Sequence, residues 1–401
     1  MKKLIALLLA MAMVFSLAAC GSSSSSSDTD TSDETTTTAD ETSEEASESE
    51  EEEETASDTE YRVAMITDYG DITDQSFNQT TYEACKEFCS ENGIDFTYYK
   101  PDGDSTAERV AMVEKAVDDG YNVIVMPGYA FGETVTETAE TFPDVTFIAL
   151  DVSQSDLGDD YVVPDNVYCA VYQEELAGYM AGYAAVQLGY THLGFLGGMA
   201  VPAVIRYGYG FVQGVDAAAS ELGIEVTVEY CYGNQFYGDS DITAYMDNWY
   251  QTLGVEVVFA CGGGIYTSAA EAAQKVDGKV IGVDVDQAAT IDDAYGEDMT
   301  VTSAMKGLAA TVKSMLTEVV AGNFSEYAGQ IDNLGLVSGD DPEANYVQIP
   351  LESTQWDDNF TQDDYLALVA AMYSGELSVS NDTTAMPETS STTVNEYGNI
   401  K

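Results

Sequence analysis

Short apolar runs with strand character alternate with amphipathic helical patterns along nearly the whole chain after residue 60, and the alternation occurs twice. The first series reads as strand 61–66, helix 80–92, strand 95–99, helix 105–119, strand 123–126, a helix near 133–141, and strands 145–150 and 168–171. The second reads as helix 174–188, strand 192–196, helix 210–222, strand 225–230, helix 244–253, strand 255–260, helix 266–276 and strand 280–285. This rhythm predicts α/β architecture: parallel sheets joined by right-handed crossovers. Two similar series predict two doubly wound lobes, and about 320 residues after the first 60 are natural for two cores rather than one. Residues 300–304, 305–321 and 345–349 read as a further strand, helix and strand. If they return to the lobes, several segments cross between them and the cleft opens and closes as a hinge.

Open α/β sheets keep ligands beyond the carboxyl ends of their strands. The stretch 67–79, T-D-Y-G-D-I-T-D-Q-S-F-N-Q, lies between the first strand and the first helix and offers Asp68, Asp74, Phe77 and Asn78. A capped turn explains the same letters, with Asp74 or Ser76 as N-cap and Phe77 in the core. Met126, Asp151, Gly262, Gly263, Gly264 and Asp284 also fall at strand ends, Lys306 lies just past strand 300–304, and Phe236 follows strand 225–230. Their convergence at one edge of both sheets marks a candidate site.

The first 20 residues carry Lys2 and Lys3, an apolar run 4–17 and then L-A-A-C ending at Cys20. A charged start, an apolar stretch short for a membrane span and small residues before a cysteine predict a lipoprotein leader, with acyl chains on Cys20. Residues 21–60 are almost entirely Ser, Thr, Asp and Glu with no Lys, Arg or large aliphatic side chain, so a disordered tether with a coil length of roughly 35 Å is expected. The Ser/Thr-rich tail 381–401 is expected to be disordered too. A net charge of -58 in 401 residues argues against nucleic acid or anionic headgroups as partners of the folded part, since both need a basic surface.

Catalytic and metal chemistry find little support. The sole histidine, His192, starts an apolar strand, so neither a His-based triad nor a His-rich metal site can be assembled. Asp284 and Asp286 lack an accompanying carboxylate cluster. Gly208, Gly210 and Gly214 resemble a dinucleotide fingerprint but fall in a helical pattern rather than directly after a strand. Gly262, Gly263 and Gly264 do follow a strand, yet no P-loop Lys follows them, which favours close approach to a hydroxyl or ring over a cradled phosphate. Of six cysteines, the five beyond Cys20 form no C-x-x-C pair, and all five are expected as free thiols.

Residues 68–79, F-L-G-G-M-A-V-P-A-V-I-R-Y-G-Y-G-F-V-Q-G at 195–214, C-G-G-G at 261–264, I-G-V-D-V-D-Q at 281–287 and T-S-A-M-K-G at 302–307 resemble the BMP family of lipoproteins. These are the substrate-binding proteins of ABC importers and include purine nucleoside receptors. The resemblance implies a type I periplasmic-binding-protein fold, with two Rossmann-like lobes and three crossing segments. It also implies a monomer that captures a purine nucleoside, delivers it to a permease, performs no chemistry and needs no cofactor. Lobe boundaries of 61–170 plus 287–325 and 171–286 plus 326–380 are expected. Phe77 and Phe236 would stack on the base, with Tyr232 and Tyr237 as alternatives for the second aromatic. Asn78 and Asp151 would bond base edges; Asp284, Lys306 and the backbone of 262–264 would hold the ribose, and Asp68 would support the sugar or its loop. A sugar or signalling metabolite in the same cleft, or a sensor or adhesin ectodomain, remain the alternatives.

Overall fold

The computed structural model describes residues 60–401. The expected leader, Cys20 and all but the last residue of the expected tether lie outside the described residues. In chain order the first elements are β1 (Arg62–Ile66), α1 (Phe77–Asn92), β2 (Asp95–Tyr99), α2 (Thr106–Asp118), β3 (Val123–Pro127), α3 (Gly132–Thr138), β4 (Thr146–Leu150), α4 (Gln154–Leu157) and β5 (Val167–Tyr172). The second series is α5 (Glu174–Gln187), β6 (His192–Gly197), α6 (Pro202–Leu222), β7 (Val226–Tyr232), α7 (Ser240–Asn248), β8 (Val257–Cys261), α8 (Tyr266–Ala273), β9 (Lys279–Asp284), α9 (Ala288–Tyr295) and β10 (Thr300–Lys306). Then come α10 (Leu308–Ala321), β11 (Gln330–Leu334), β12 (Val347–Gln348), α11 (Gln362–Tyr373) and β13 (Thr392–Asn399).

Two sheets form, in the orders β11-β5-β4-β3-β1-β2 and β12-β10-β9-β8-β6-β7-β13. All pairings are parallel except β10 with the two-residue β12. Strands buried on both faces read as unbroken apolar runs. In β1, Val63 and Met65 face one core while Ala64 and Ile66 face another. The orders match: β1 lies between β2 and β3 as β6 lies between β7 and β8. Each lobe therefore has its strand-order reversal at its first strand, where open α/β sheets leave a crevice.

The chain crosses between sheets after β5, after β10 and after β11. The crossings are bonded to one another: Gln173 N donates to Leu334 O at 2.9 Å and Gly307 N to Tyr346 O at 2.7 Å, while Tyr346 N donates to Gly335 O at 3.0 Å within the third crossing. After the second crossing, α10 returns to the first lobe and packs on α1, where Lys313 meets Glu87 at 2.7 Å.

Three expectations need correction. Residues 300–306 belong to the second sheet, because β10 pairs with β9, and residues 330–334 belong to the first, because β11 pairs with β5. The partner strand decides sheet membership, and five-residue segments carry no signature of it. The tail 381–401 contains β13, which pairs in parallel with β7 and closes that edge of the second sheet. As the sequence pattern predicts, Gly210 and Gly214 lie inside α6, where they serve helix packing. A Cβ on Gly210 would stand 2.1 Å from the Glu175 carbonyl oxygen of α5, and one on Gly214 would stand 2.1 Å from that of Tyr179.

His192 Nε2 sits 2.8 Å from the buried Glu229 carboxylate on β7. That carboxylate also accepts from Tyr397 Oη at 2.6 Å and Asn395 Nδ2 at 3.2 Å of β13. The histidine thus has a structural place. All five described cysteines are buried and free.

Candidate functional site

A cavity of about 420 Å³ lies between the carboxyl ends of the two sheets, within the size range of small-molecule sites. Ten of the eleven residues expected at the ligand line it: Asp68, Phe77, Asn78, Asp151, Phe236, Gly262, Gly263, Gly264, Asp284 and Lys306. Met126 does not. It is fully buried among Ile66, Phe131 and Phe147, because alternate residues of a strand face opposite layers and its parity sends it under the helices. Gly128 and Tyr129, just beyond the same strand, reach the cavity instead.

The stretch after β1 combines the two readings of its sequence. Asp74 caps α1, its carboxylate accepting from Asn78 N at 2.9 Å and Gln79 N at 3.0 Å, so two of the donors left free at a helix start are satisfied. That cap fixes Phe77 and Asn78 at the helix tip, both facing the cavity. Asn78 donates its amide nitrogen to Asp74 at 3.2 Å, and its Oδ1 is buried with no partner among the described residues. Asp68 accepts from Tyr69 N at 2.6 Å and Gly70 N at 2.7 Å. Burial raises its carboxyl above the ordinary range, with those two N–H groups pulling the other way.

Asp151 and Asp284 occupy equivalent places, one directly after β4 and the other ending β9. Both have left-handed backbones, with φ of 58° and 64°, a conformation that Asp tolerates better than most side chains and that recurs at ligand clamps. Lys306 lies between them, its Nζ 2.6 Å from Asp151, 3.3 Å from Glu174 and 3.9 Å from Asp284. Burial alone would lower the Lys306 pKa, but the three carboxylates outweigh it and the amine is held above its ordinary value. Its Nζ also stands 4.9 Å from the Phe77 ring centroid, within cation–π range. Asp151 keeps Oδ1 buried and without a partner among the described residues, as does the Tyr207 hydroxyl.

Asp284 bridges the lobes. Ser76 Oγ donates to its Oδ2 at 2.6 Å, and nearby Gln287 Nε2 donates to Gln75 O at 3.0 Å. Burial raises the Asp284 carboxyl to about 6, with Lys306 and Ser76 pulling against it. Together with Lys306 to Asp151, these bonds hold the lobes closed over the cavity.

Phe236 rests on glycine backbone. A Cβ on Gly198 would stand 2.3 Å from its Cδ1, and one on Gly262 would stand 2.8 Å from the same atom. Gly264 N donates to Phe236 O at 2.9 Å, so this N–H is engaged within the protein rather than available to a ribose, contrary to expectation. Of the alternative aromatics, Tyr237 lines the cavity mouth at 58% exposure, whereas Tyr232 is not a lining residue and bonds Tyr230.

Sequence reasoning missed Glu174, Arg206 and Tyr207. Glu174 is fully buried and joins Lys306 to Arg206, whose Nε lies 2.6 Å from it. Pro202, a preferred first helical residue, follows strand β6 closely and was the signal that a helix tip reaches the cleft there. Among the described residues no group of His, Cys, Asp and Glu side chains has metal-binding geometry, and no helix is long and apolar enough to cross a membrane.

Residues 61–353 match the family model of PnrA-like ABC transporter substrate-binding proteins. The CD4+ T-cell-stimulating antigen of Listeria monocytogenes is 30% identical over 301 residues, covering 70% of this chain and 81% of that protein. The ABC transporter nucleoside-binding protein BmpA of Lactococcus lactis is 24% identical over 285 residues, covering 66% and 77%. Among solved structures, an ABC transporter solute-binding protein from Aeropyrum pernix superposes with a TM-score of 0.62 at 21% identity, covering 80% of this chain and 88% of that one. With two doubly wound lobes and three crossings, the fold is that of type I periplasmic binding proteins.

Proposed function

The chain belongs to the PnrA-like family of ABC transporter substrate-binding proteins, and within that family we propose that it captures a purine nucleoside and hands it unchanged to a membrane permease. Phe77 and Phe236 stack on the base, and Asn78 Oδ1 and Asp151 Oδ1 accept from its N–H edge. Asp284 and Lys306 hold the ribose hydroxyls, and Asp68 fixes the loop beside them. Acyl chains on Cys20 anchor the protein outside the cell membrane, and residues 21–60 tether it there as a monomer. No cofactor takes part.

The observation that carries this proposal is the pairing of charges around an aromatic cavity. Each lining cation already faces a carboxylate: Lys100 to Asp71 at 2.7 Å, Arg206 to Glu174 at 2.6 Å and Lys306 to Asp151 at 2.6 Å. The polar atoms left over are chiefly acceptors, which suits a flat, uncharged ligand rich in N–H and O–H donors and disfavours a phosphate. The nucleoside-binding relative supports the same ligand class.

Calorimetric titration of the form starting at Gly21, stripped of ligand by unfolding and refolding, tests the proposal. One-to-one binding of guanosine, inosine or adenosine is expected. A response to sugars alone would overturn the ligand, and release of free base from inosine would overturn the absence of chemistry.

A further inference from the structure

The C-terminal segment lies beyond the stretch 61–353 that the family shares, yet it ends against the loop that carries Phe236. We propose that residues 392–401 are a strap whose last two residues, Ile400 and Lys401, position Phe236 for the ligand. The proposal rests on the nucleoside site described above and adds a positioning element to it.

Direction comes first. Because β13 runs parallel to β7, it travels from the far end of the sheet toward the edge where the cavity lies. Its path is tied at intervals. Ser380 N donates to Gln213 Oε1 of α6 at 2.9 Å, Ser391 N donates to Asp216 at 2.8 Å, and Tyr397 and Asn395 both donate to the buried Glu229 of β7. The Glu229 bonds pin the register, since a one-residue slip would turn both side chains to the other face. The pairing with β7 then shifts between Glu396 and Asn399, with Gly398 at φ 67°. Such a bulge re-aims a strand end. Here it delivers Ile400 N to Tyr232 O at 2.8 Å, and the Ile400 side chain packs on the core beneath α7 and α8.

Lys401 completes the strap. Its amine pairs with Asp239, the N-cap of α7, whose carboxylate also accepts from Asp241 N at 2.9 Å and Ile242 N at 3.0 Å. Gln235, next to Phe236, donates through one amide nitrogen to Tyr237 O at 2.8 Å and to Asp239 Oδ2 at 2.9 Å. The brace inside the loop and the strap from outside therefore meet on one carboxylate. The Lys401 amine, followed by the Ile242 N–H, lowers the Asp239 pKa to about 2. From the cavity side the Phe236 carbonyl is held by Gly264 N, so the loop is gripped between the strap and the end of β8.

The test uses the double variant Ile400→Ala/Lys401→Ala, which keeps β13, and Lys401→Ala alone. Hydrogen exchange of amides 233–239 is followed without ligand, and guanosine affinity is measured with and without Phe236→Ala. Exchange in the loop should rise about tenfold while amides of β6 and β8 stay unchanged. Affinity should fall on the order of fivefold in the native background and not at all beside Phe236→Ala, the non-additivity expected of residues acting as one unit. Unchanged loop exchange would overturn the strap, and so would an equal affinity loss in both backgrounds. If the unaltered protein binds no nucleoside, the ligand assignment fails on its own, and the exchange rates alone decide for or against the strap.

Discussion

Ser76 of the first lobe and Asp284 of the second meet across the cleft, the serine hydroxyl 2.6 Å from the carboxylate. The contact can exist only with the lobes together, so closure buries an acid that open lobes would leave to water. Burial raises its pKa from 3.8 to about 6. Between those values the folded state keeps a proton that the unfolded chain has released, so stability is greatest at the acid end and declines as pH rises through the window. The slope is about 1.4 kcal/mol per pH unit for one group. Denaturant midpoints at pH 4.5 and 6.5 should therefore differ more for the unaltered protein than for Asp284→Asn. Equal differences would show that Asp284 does not titrate in this window.

Lys306 neutralises three acids in the same region. Lys306→Met leaves Asp151 buried without its cation and Glu174 with Arg206 alone, and removing one partner of a buried charge cluster destabilises by roughly 3–5 kcal/mol. Adding Asp151→Asn should recover part of the loss. Urea unfolding of both variants checks this, and no recovery would mean that the unpaired Asp151 carboxylate is not the source of the loss.

Phe77 is held at the tip of α1 by the Asp74 cap and is only partly buried. Phe77→Ala should weaken nucleoside binding by about 1–3 kcal/mol, the usual worth of a base stacked on an aromatic ring. Its unfolding midpoint should move little. A shift in the midpoint with affinity intact would return Phe77 to a core role.

On the proposed acylation of Cys20, Cys20→Ala should release the protein from the membrane fraction of cells. Retention in that fraction would point to another attachment.

The two-lobe rhythm and the cavity edge were legible in the sequence because buried parallel strands declare themselves as apolar runs and the residues after them sit at one edge. Met126 was misplaced because the strand runs on to Pro127 and the cavity is reached only at Gly128 and Tyr129. The lobes of β10 and β11 were assigned wrongly because crossings depend on partners far away in the chain. The strand in the tail was hidden by Ser, Thr, Asn and Gly, which read as disorder until the buried Glu229 of β7 is seen beside it. Glu174 was invisible as a site residue: nothing local shows that the first turn of α5 will be buried against Lys306.

The most direct test of the central claim is calorimetric titration of one ligand-stripped preparation with guanosine, then with guanosine monophosphate, then with arabinose and galactose. Tight one-to-one binding of guanosine, with the monophosphate weaker by about 100-fold or more because every lining cation is already paired, is the predicted result. Binding of the monophosphate as tight as that of guanosine, or of a sugar in place of both, would contradict it.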